Sequence, residues 1–163
     1  MPELKPILLV EDSPQDIELT LAALEQNHLA NEVVVVRDGE EAVAYLFREG
    51  IFKLRQEGNP AVVLLDLKLP KVDGLEVLER VKADPDLRTV PIVVLTSSRE
   101  EQDLIRSYQL GVNAYVVKPV DFAEFVEAIQ ELGLFWAVIN QPPPGSVQRS
   151  NTRPAVIAVR KAT

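Results

Sequence analysis

Five short apolar runs recur along the chain: Ile7–Val10, Val33–Val36, Val62–Leu65, 92–95 and Ala114–Val117. All are built mainly from Val, Ile and Leu without polar alternation, which is how strands buried on both faces read. Between them apolar residues return at helical spacing, as in Ile17, Leu21 and Leu24, then Ala42 and Leu46, then Leu75, Leu78 and Val81, then Leu104, Ser107 and Tyr108. Strand and helix alternate five times. With right-handed crossovers this predicts an α/β fold, a doubly wound five-stranded parallel sheet between helices, for which strand order 2-1-3-4-5 is one of two common solutions. A site in such a fold lies at the carboxyl ends of the strands.

A fifth helix is expected from Asp121, with Glu124 three positions on completing a capping-box-like pair and Phe122, Phe125, Val126, Ile129 and Leu132 forming the buried stripe. Apolar character continues through Leu134, Phe135, Trp136, Val138 and Ile139, more than one face of a terminal helix requires. The bland reading is the last turns of a core helix. The sharper one is a homodimer interface anchored by Phe135, Trp136 and Ile139. After Asn140 the run Pro142, Pro143, Pro144, Gly145 ends any helix, so the chain divides into a domain over residues 1–140 and a Pro-rich basic arm over 141–163. The arm carries Arg149, Arg153, Arg160 and Lys161 and no acid, which attracts it to the acidic body. Ala155 to Val159 has the composition to pair as a strand, and the arm has the length to reach a second protomer.

Composition narrows the function. At 163 residues and 47% hydrophobic content the chain fills one core. A formal net charge of -8 disfavours a phosphate-backbone-binding surface, so no nucleic acid partner is expected. Cys is absent, which removes disulfides, thiolate metal sites and a Cys nucleophile. No apolar run approaches the ~20 residues of a membrane span, and the N-terminal apolar stretch is too short for a signal peptide. A cytoplasmic protein that does not engage a membrane is the expectation.

Chemistry gathers behind the strands. Glu11 and Asp12 follow the first, Asp66 the third, Thr96 the fourth, and Lys118 and Pro119 the fifth. The topology brings these positions to one rim. Three carboxylates converging there repel one another, and a hard divalent cation is the natural compensation, with Mg2+ (or Mn2+) preferring oxygen ligands. With such an ion, Asp66 becomes a plausible nucleophile toward phosphorus, while Lys118, Thr96 and the metal each take one phosphoryl oxygen. Taken singly, each residue has a plainer explanation: Asp66 a turn cap, Glu11 and Asp12 a solvated pair capping the first helix, Thr96 a β-branched strand residue, Lys118 a surface lysine. Their joint placement favours the site.

The stretches IleLeuLeuValGluAspSerPro, LeuLeuAspLeuLysLeuProLysValAspGly, ValLeuThrSerSer and AlaTyrValValLysPro resemble the receiver domain of two-component response regulators, over about residues 5 to 139. The resemblance implies the flavodoxin-like receiver fold and a His-to-Asp phosphorelay with Asp66 as phosphoacceptor. It implies Glu11, Asp12, Asp66 and the Lys68 backbone carbonyl as metal ligands, Lys118 as the phosphate-contacting lysine, Thr96 and Tyr115 as the switch pair, and a cis peptide at Pro119. GluAspSerProGlnAsp, ArgAspGlyGluGluAlaValAlaTyrLeu, the segment 48–60 and ThrSerSerArgGluGluGlnAspLeu are similar to the stand-alone regulators that partner phytochromes. A phytochrome-type sensor histidine kinase is the implied partner, and protein contact the implied output. Such a chain is not an enzyme in the usual sense, since it catalyses only its own phosphorylation and dephosphorylation. His28 is expected at the surface and not as a phosphodonor. Lys68, two residues beyond Asp66, is expected to contact or shield the phosphoryl group and slow its hydrolysis.

Three competing readings fit less well. Haloacid-dehalogenase-type phosphatases use an Asp nucleophile, but their nucleophile strand reads Asp-x-Asp where this chain has AspLeuLys, and the acidic pair here precedes the nucleophile. A flavodoxin-like cofactor binder would need a Gly-rich phosphate loop after the first strand, where Glu11 and Asp12 stand. A degenerate receiver serving as a passive adaptor would lack acceptor-site residues, and all are present.

Overall fold

The computed structural model describes residues 5–26, 31–118, 123 and 155–157. The strands are β1 Ile7–Val10, β2 Val33–Val36, β3 Val62–Leu65, β4 Ile92–Thr96, β5 Ala114–Val117 and β6 Ala155–Ile157. The helices are α1 Pro14–Gln26, α2 Gly39–Phe47, α3 Gly74–Ala83 and α4 Glu101–Gln109. All strands pair in parallel, in the order β2-β1-β3-β4-β5-β6. The five expected strands thus take the expected order 2-1-3-4-5. The segment 155–157 of the arm adds a sixth strand on the β5 edge, within the stretch marked in the sequence, whose residues 158 and 159 lie outside the described residues.

The lack of polar alternation in β1 to β5 has a direct cause: each face of the sheet is covered there, so residues of both parities pack into a core. Leu8, Val10, Val36, Val63, Leu65, Ile92, Val94 and Tyr115 pack with Ala42, Tyr45 and Leu46 of α2 and Val77, Leu78 and Val81 of α3. The opposite parity, Ile7, Leu9, Val62, Leu64, Val93, Leu95, Ala114 and Val116, packs with Ile17, Ala23 and Leu24 of α1. The α1 stripe differs from the sequence expectation at one position. Leu21 is exposed, and Thr20 is buried in its place because its hydroxyl donates to the Asp16 carbonyl at 2.7 Å, which satisfies its polar atom within the helix. His28, Pro119 and, apart from residue 123, the expected fifth helix with Phe135, Trp136 and Ile139 lie outside the described residues.

Chain direction across the sheet reverses between β1 and β3, since α1 carries the chain outward to β2 and α2 carries it back past β1. The crevice at this switch point opens at the strands' carboxyl ends. Two glycines let neighbouring loops close around it. Gly74, the first residue of α3, donates its N–H to the Leu67 carbonyl at 3.0 Å, and a Cβ there would collide with the Asp66 carbonyl and the Leu67 Cα. Gly39, the first residue of α2, donates to the Pro70 carbonyl at 3.2 Å, and a Cβ would collide with the Val72 backbone. Asp38 and Asp73 cap the same two helices through bonds from Glu41 N–H at 2.7 Å and Leu75 N–H at 2.8 Å.

In an open helix Gly→Ala stabilises by up to ~1 kcal/mol. At position 74 the collision reverses the sign, and Gly74→Ala is expected to destabilise by about 2 kcal/mol in urea unfolding. A variant as stable as the parent would refute the close-approach account.

Candidate functional site

Each strand end delivers its side chain through a backbone bond that extends the sheet by one residue. Glu11 N–H donates to the Val36 carbonyl at 3.0 Å, Asp66 N–H to the Val10 carbonyl at 3.0 Å, and Lys118 N–H to the Thr96 carbonyl at 2.7 Å. The ladder therefore fixes where these side chains start. Glu11, Asp66, Thr96 and Lys118 are buried, whereas Asp12 is exposed.

Glu11, Asp12 and Asp66 each offer a carboxylate oxygen within 4.8 Å of the others. The Lys118 ammonium reaches into the same space, 2.6 Å from Glu11 Oε2, 2.9 Å from Asp16 Oδ2 and 3.3 Å from Asp66 Oδ2. Burial disfavours the charged form of Glu11 and is the main reason that its pKa is pushed up to about 7. The hydrogen bond from Lys118 works against that rise, and the neighbouring Asp66 charge adds to it. Burial alone would lower the Lys118 pKa, but its hydrogen bonds to Glu11 and Asp16 and the charge of Asp66 outweigh it and hold the ammonium protonated.

Three carboxylates around the Lys118 ammonium, with Asp12 beside two of them, leave a surplus of negative charge at the rim. The donor set of the Glu11, Asp12 and Asp66 cluster is all carboxylate oxygen, with no His or Cys, and this suits a hard divalent ion such as Mg2+ or Mn2+ over a softer metal. The plain reading of Asp66 as a turn cap holds as well, since its Oδ1 accepts from the Lys68 N–H at 3.1 Å. Cap and acceptor are compatible roles, because the turn bond orients the carboxylate and leaves Oδ2 toward Lys118.

A second set of bonds borders the site at the end of β4. Thr96 Oγ1 accepts from the Ser98 N–H at 3.2 Å, and the Ser98 hydroxyl donates to Asp103 near the start of α4. The Tyr115 ring is buried in the core, and its hydroxyl donates to the Ser98 carbonyl at 3.1 Å. The side chain of Lys68 turns to the same cluster, with its ammonium 3.4 Å from Asp103 Oδ2.

The sequence reading therefore located Glu11, Asp12, Asp66 and Lys118 together and Thr96 on the adjoining strand end. It missed Asp16, Ser98 and Asp103. Asp16 carried a faint signal, an acid three residues after a Ser N-cap, but that spacing usually reports only helix capping. Ser98 and Asp103 had no signal beyond the polar run that contains them.

Comparison with known proteins agrees with this geometry. The family described as "Response regulator receiver domain" matches residues 7–130. The chain is 42% identical over 132 residues to "Response regulator Rcp1" of Synechocystis sp. (strain ATCC 27184 / PCC 6803 / Kazusa), covering 81% of this chain and 88% of that protein. Among solved structures it is similar to "Bacteriophytochrome response regulator RtBRR", with 67% identity, a TM-score of 0.73, and coverage of 88% of this chain and 86% of the other. It is also similar to the Mn(2+)-bound form of Rcp1, with 40% identity, a TM-score of 0.75, and coverage of 85% and 99%. An acidic crevice at the switch point, a lysine bridging it from β5 and a family match across most of the sheet place this chain among the response regulator receiver domains.

Proposed function

We propose that Asp66 is the phosphoacceptor of a phytochrome-type response regulator, with Lys118 and Thr96 as the groups that receive the phosphoryl oxygens. The observation that carries this reading is the Lys118 ammonium set 3.3 Å from Asp66 and 2.6 Å from Glu11, residues 52 and 107 positions away in the chain. In the proposed reaction an Asp66 carboxylate oxygen forms a bond to phosphorus while the P–N bond of a kinase phosphohistidine breaks, and the electron pair leaves on the imidazole nitrogen. A bound Mg2+ or Mn2+, held by Glu11, Asp12, Asp66 and the Lys68 carbonyl, would neutralise charge on the carboxylates and on the transferred group. Lys118 supplies a fixed cation for the phosphoryl oxygens, and Thr96 a hydroxyl from the next strand.

The chain serves as its own catalyst in this scheme, taking up the phosphoryl group and later losing it to water. The partner is a sensor histidine kinase, and its phytochrome type is inferred from the 67% identity to a bacteriophytochrome response regulator. The setting is the cytoplasm. Among the described residues no helix is long and apolar enough to cross a membrane.

Thr96 and Tyr115 act together as the switch. A phosphoryl group adds about -1.5 to -2 charges, draws the Thr96 hydroxyl toward Asp66, and so releases the Ser98 N–H that Thr96 now engages. Tyr115, bonded to the Ser98 carbonyl, responds to that shift. A homodimer through Phe135, Trp136 and Ile139 would present the altered face twice, and the apolar surplus of the sequence at 134–139 supports it.

Incubation with acetyl phosphate and Mg2+ is expected to add one phosphoryl group to the wild type and none to Asp66→Asn, read by intact mass, with both proteins dimeric by light scattering. Equal phosphorylation of the two would remove Asp66 from its role, and a monomer would remove the interface. Lys68→Asn is expected to lose its phosphoryl group about threefold faster than the wild type, because a cation near the acylphosphate stabilises its charge. Slower loss in the variant would show that Lys68 does not protect the group.

A further inference from the structure

Asp16 stands outside the Glu11, Asp12 and Asp66 cluster, yet it holds the lysine that serves it. Its position follows from the start of α1. Ser13 is the N-cap, its hydroxyl accepting from the Asp16 N–H at 3.3 Å, and Asp16 is the third residue of the helix. An acid at that position ordinarily reaches back to the N–H of the cap residue. Here the Ser13 N–H donates to Glu11 Oε1 at 3.2 Å, so the Asp16 carboxylate is released from capping and extends to Lys118 at 2.9 Å. Its own carbonyl accepts from the buried Thr20 hydroxyl at 2.7 Å, which pins the turn from which it projects. The helix N-terminus favours a negative charge at this point.

A lysine ammonium has three N–H donors on a flexible stem. Three carboxylates face the one on Lys118: Glu11, Asp16 and Asp66. Glu11 and Asp66 belong to the acidic cluster, so each has a further use for its oxygens. Among the described residues Asp16 is the one carboxylate on Lys118 without such a claim. It also forms the solvent side of the contact, with its side chain 35% exposed against 7% for Lys118.

We propose that Asp16 is a positioning residue for phosphoryl transfer, anchoring the Lys118 ammonium so that it stays aimed at Asp66 instead of collapsing onto Glu11. This rests on the assignment of Asp66 as phosphoacceptor. Asp16 acts only through Lys118. Its loss therefore lowers the rate of transfer at saturating phosphodonor without changing the apparent affinity for Mg2+.

The test compares wild type, Asp16→Asn, Asp16→Glu, Lys118→Met and the Asp16→Asn/Lys118→Met double variant, each checked for folding by thermal melting. With acetyl phosphate and Mg2+, Asp16→Asn is expected to slow the saturated rate about tenfold, Asp16→Glu to recover part of it, and half-saturating Mg2+ to stay at its wild-type value. On the Lys118→Met background, Asp16→Asn is expected to add no further loss. In metal-free protein, acylation of Lys118 by acetic anhydride, read by peptide mass, is expected to be severalfold faster in Asp16→Asn than in wild type. A wild-type rate in Asp16→Asn, an undiminished effect on the Lys118→Met background, or unchanged Lys118 acylation would each overturn the proposal. If the wild type itself takes up no phosphoryl group, the acceptor assignment fails, and the acylation result alone decides whether Asp16 holds the lysine.

Discussion

The contact on which the site depends is the Lys118 ammonium set among the carboxylates of Glu11, Asp16 and Asp66. It joins the ends of β1, β3 and β5 and the first turn of α1 by charge across a rim that the backbone ladder alone would leave as separate loops. Charges this buried are costly, and removing one partner of such a cluster leaves the others uncompensated, at a typical cost of about 3–5 kcal/mol. The lysine thus has two roles with one physical origin. It stabilises the acidic crevice electrostatically, and under the proposed function it would supply a cation for phosphoryl transfer at the same place.

The crevice exists because the sheet reverses its winding between β1 and β3. Any doubly wound sheet with that order has an opening there. What turns the opening into a site is how closely the surrounding loops approach. Gly74 brings the first turn of α3 against the Asp66 backbone, and Gly39 brings α2 against the loop at Pro70 and Val72. Helix starts, capped by Asp38 and Asp73, are held against the rim in the same way that α1 is held by Ser13. Their N-terminal dipoles add positive potential near the strand ends.

A second network runs from the acceptor loop toward α4. Lys68 donates its N–H to Asp66 and directs its ammonium to Asp103, which accepts from Ser98, whose N–H in turn engages Thr96 and whose carbonyl engages Tyr115. Every link is a hydrogen bond or ion pair between groups that are buried or partly so, with the exposed Lys68 ammonium the exception. These bonds form a contiguous link from the Asp66 loop to the start of α4, and Thr96 and Tyr115 are both members of it.

Much of this was readable from the residues. The five strand runs match the first five strands of the sheet to within one residue, because a strand covered on both faces is apolar throughout and the runs alternate with stretches of helical spacing. Glu11, Asp12, Asp66 and Lys118 were legible because the topology assigns the residue after each strand to one rim, so position in sequence translates into position in space. The direction of a side chain is not assigned that way. Asp16 reads as a capping acid until the bond from Ser13 to Glu11 is seen, and Leu21 reads as core until Thr20 is found in its place. In each case two uses of the same residue are compatible with local spacing, and packing between distant elements, which no local pattern encodes, selects one of them.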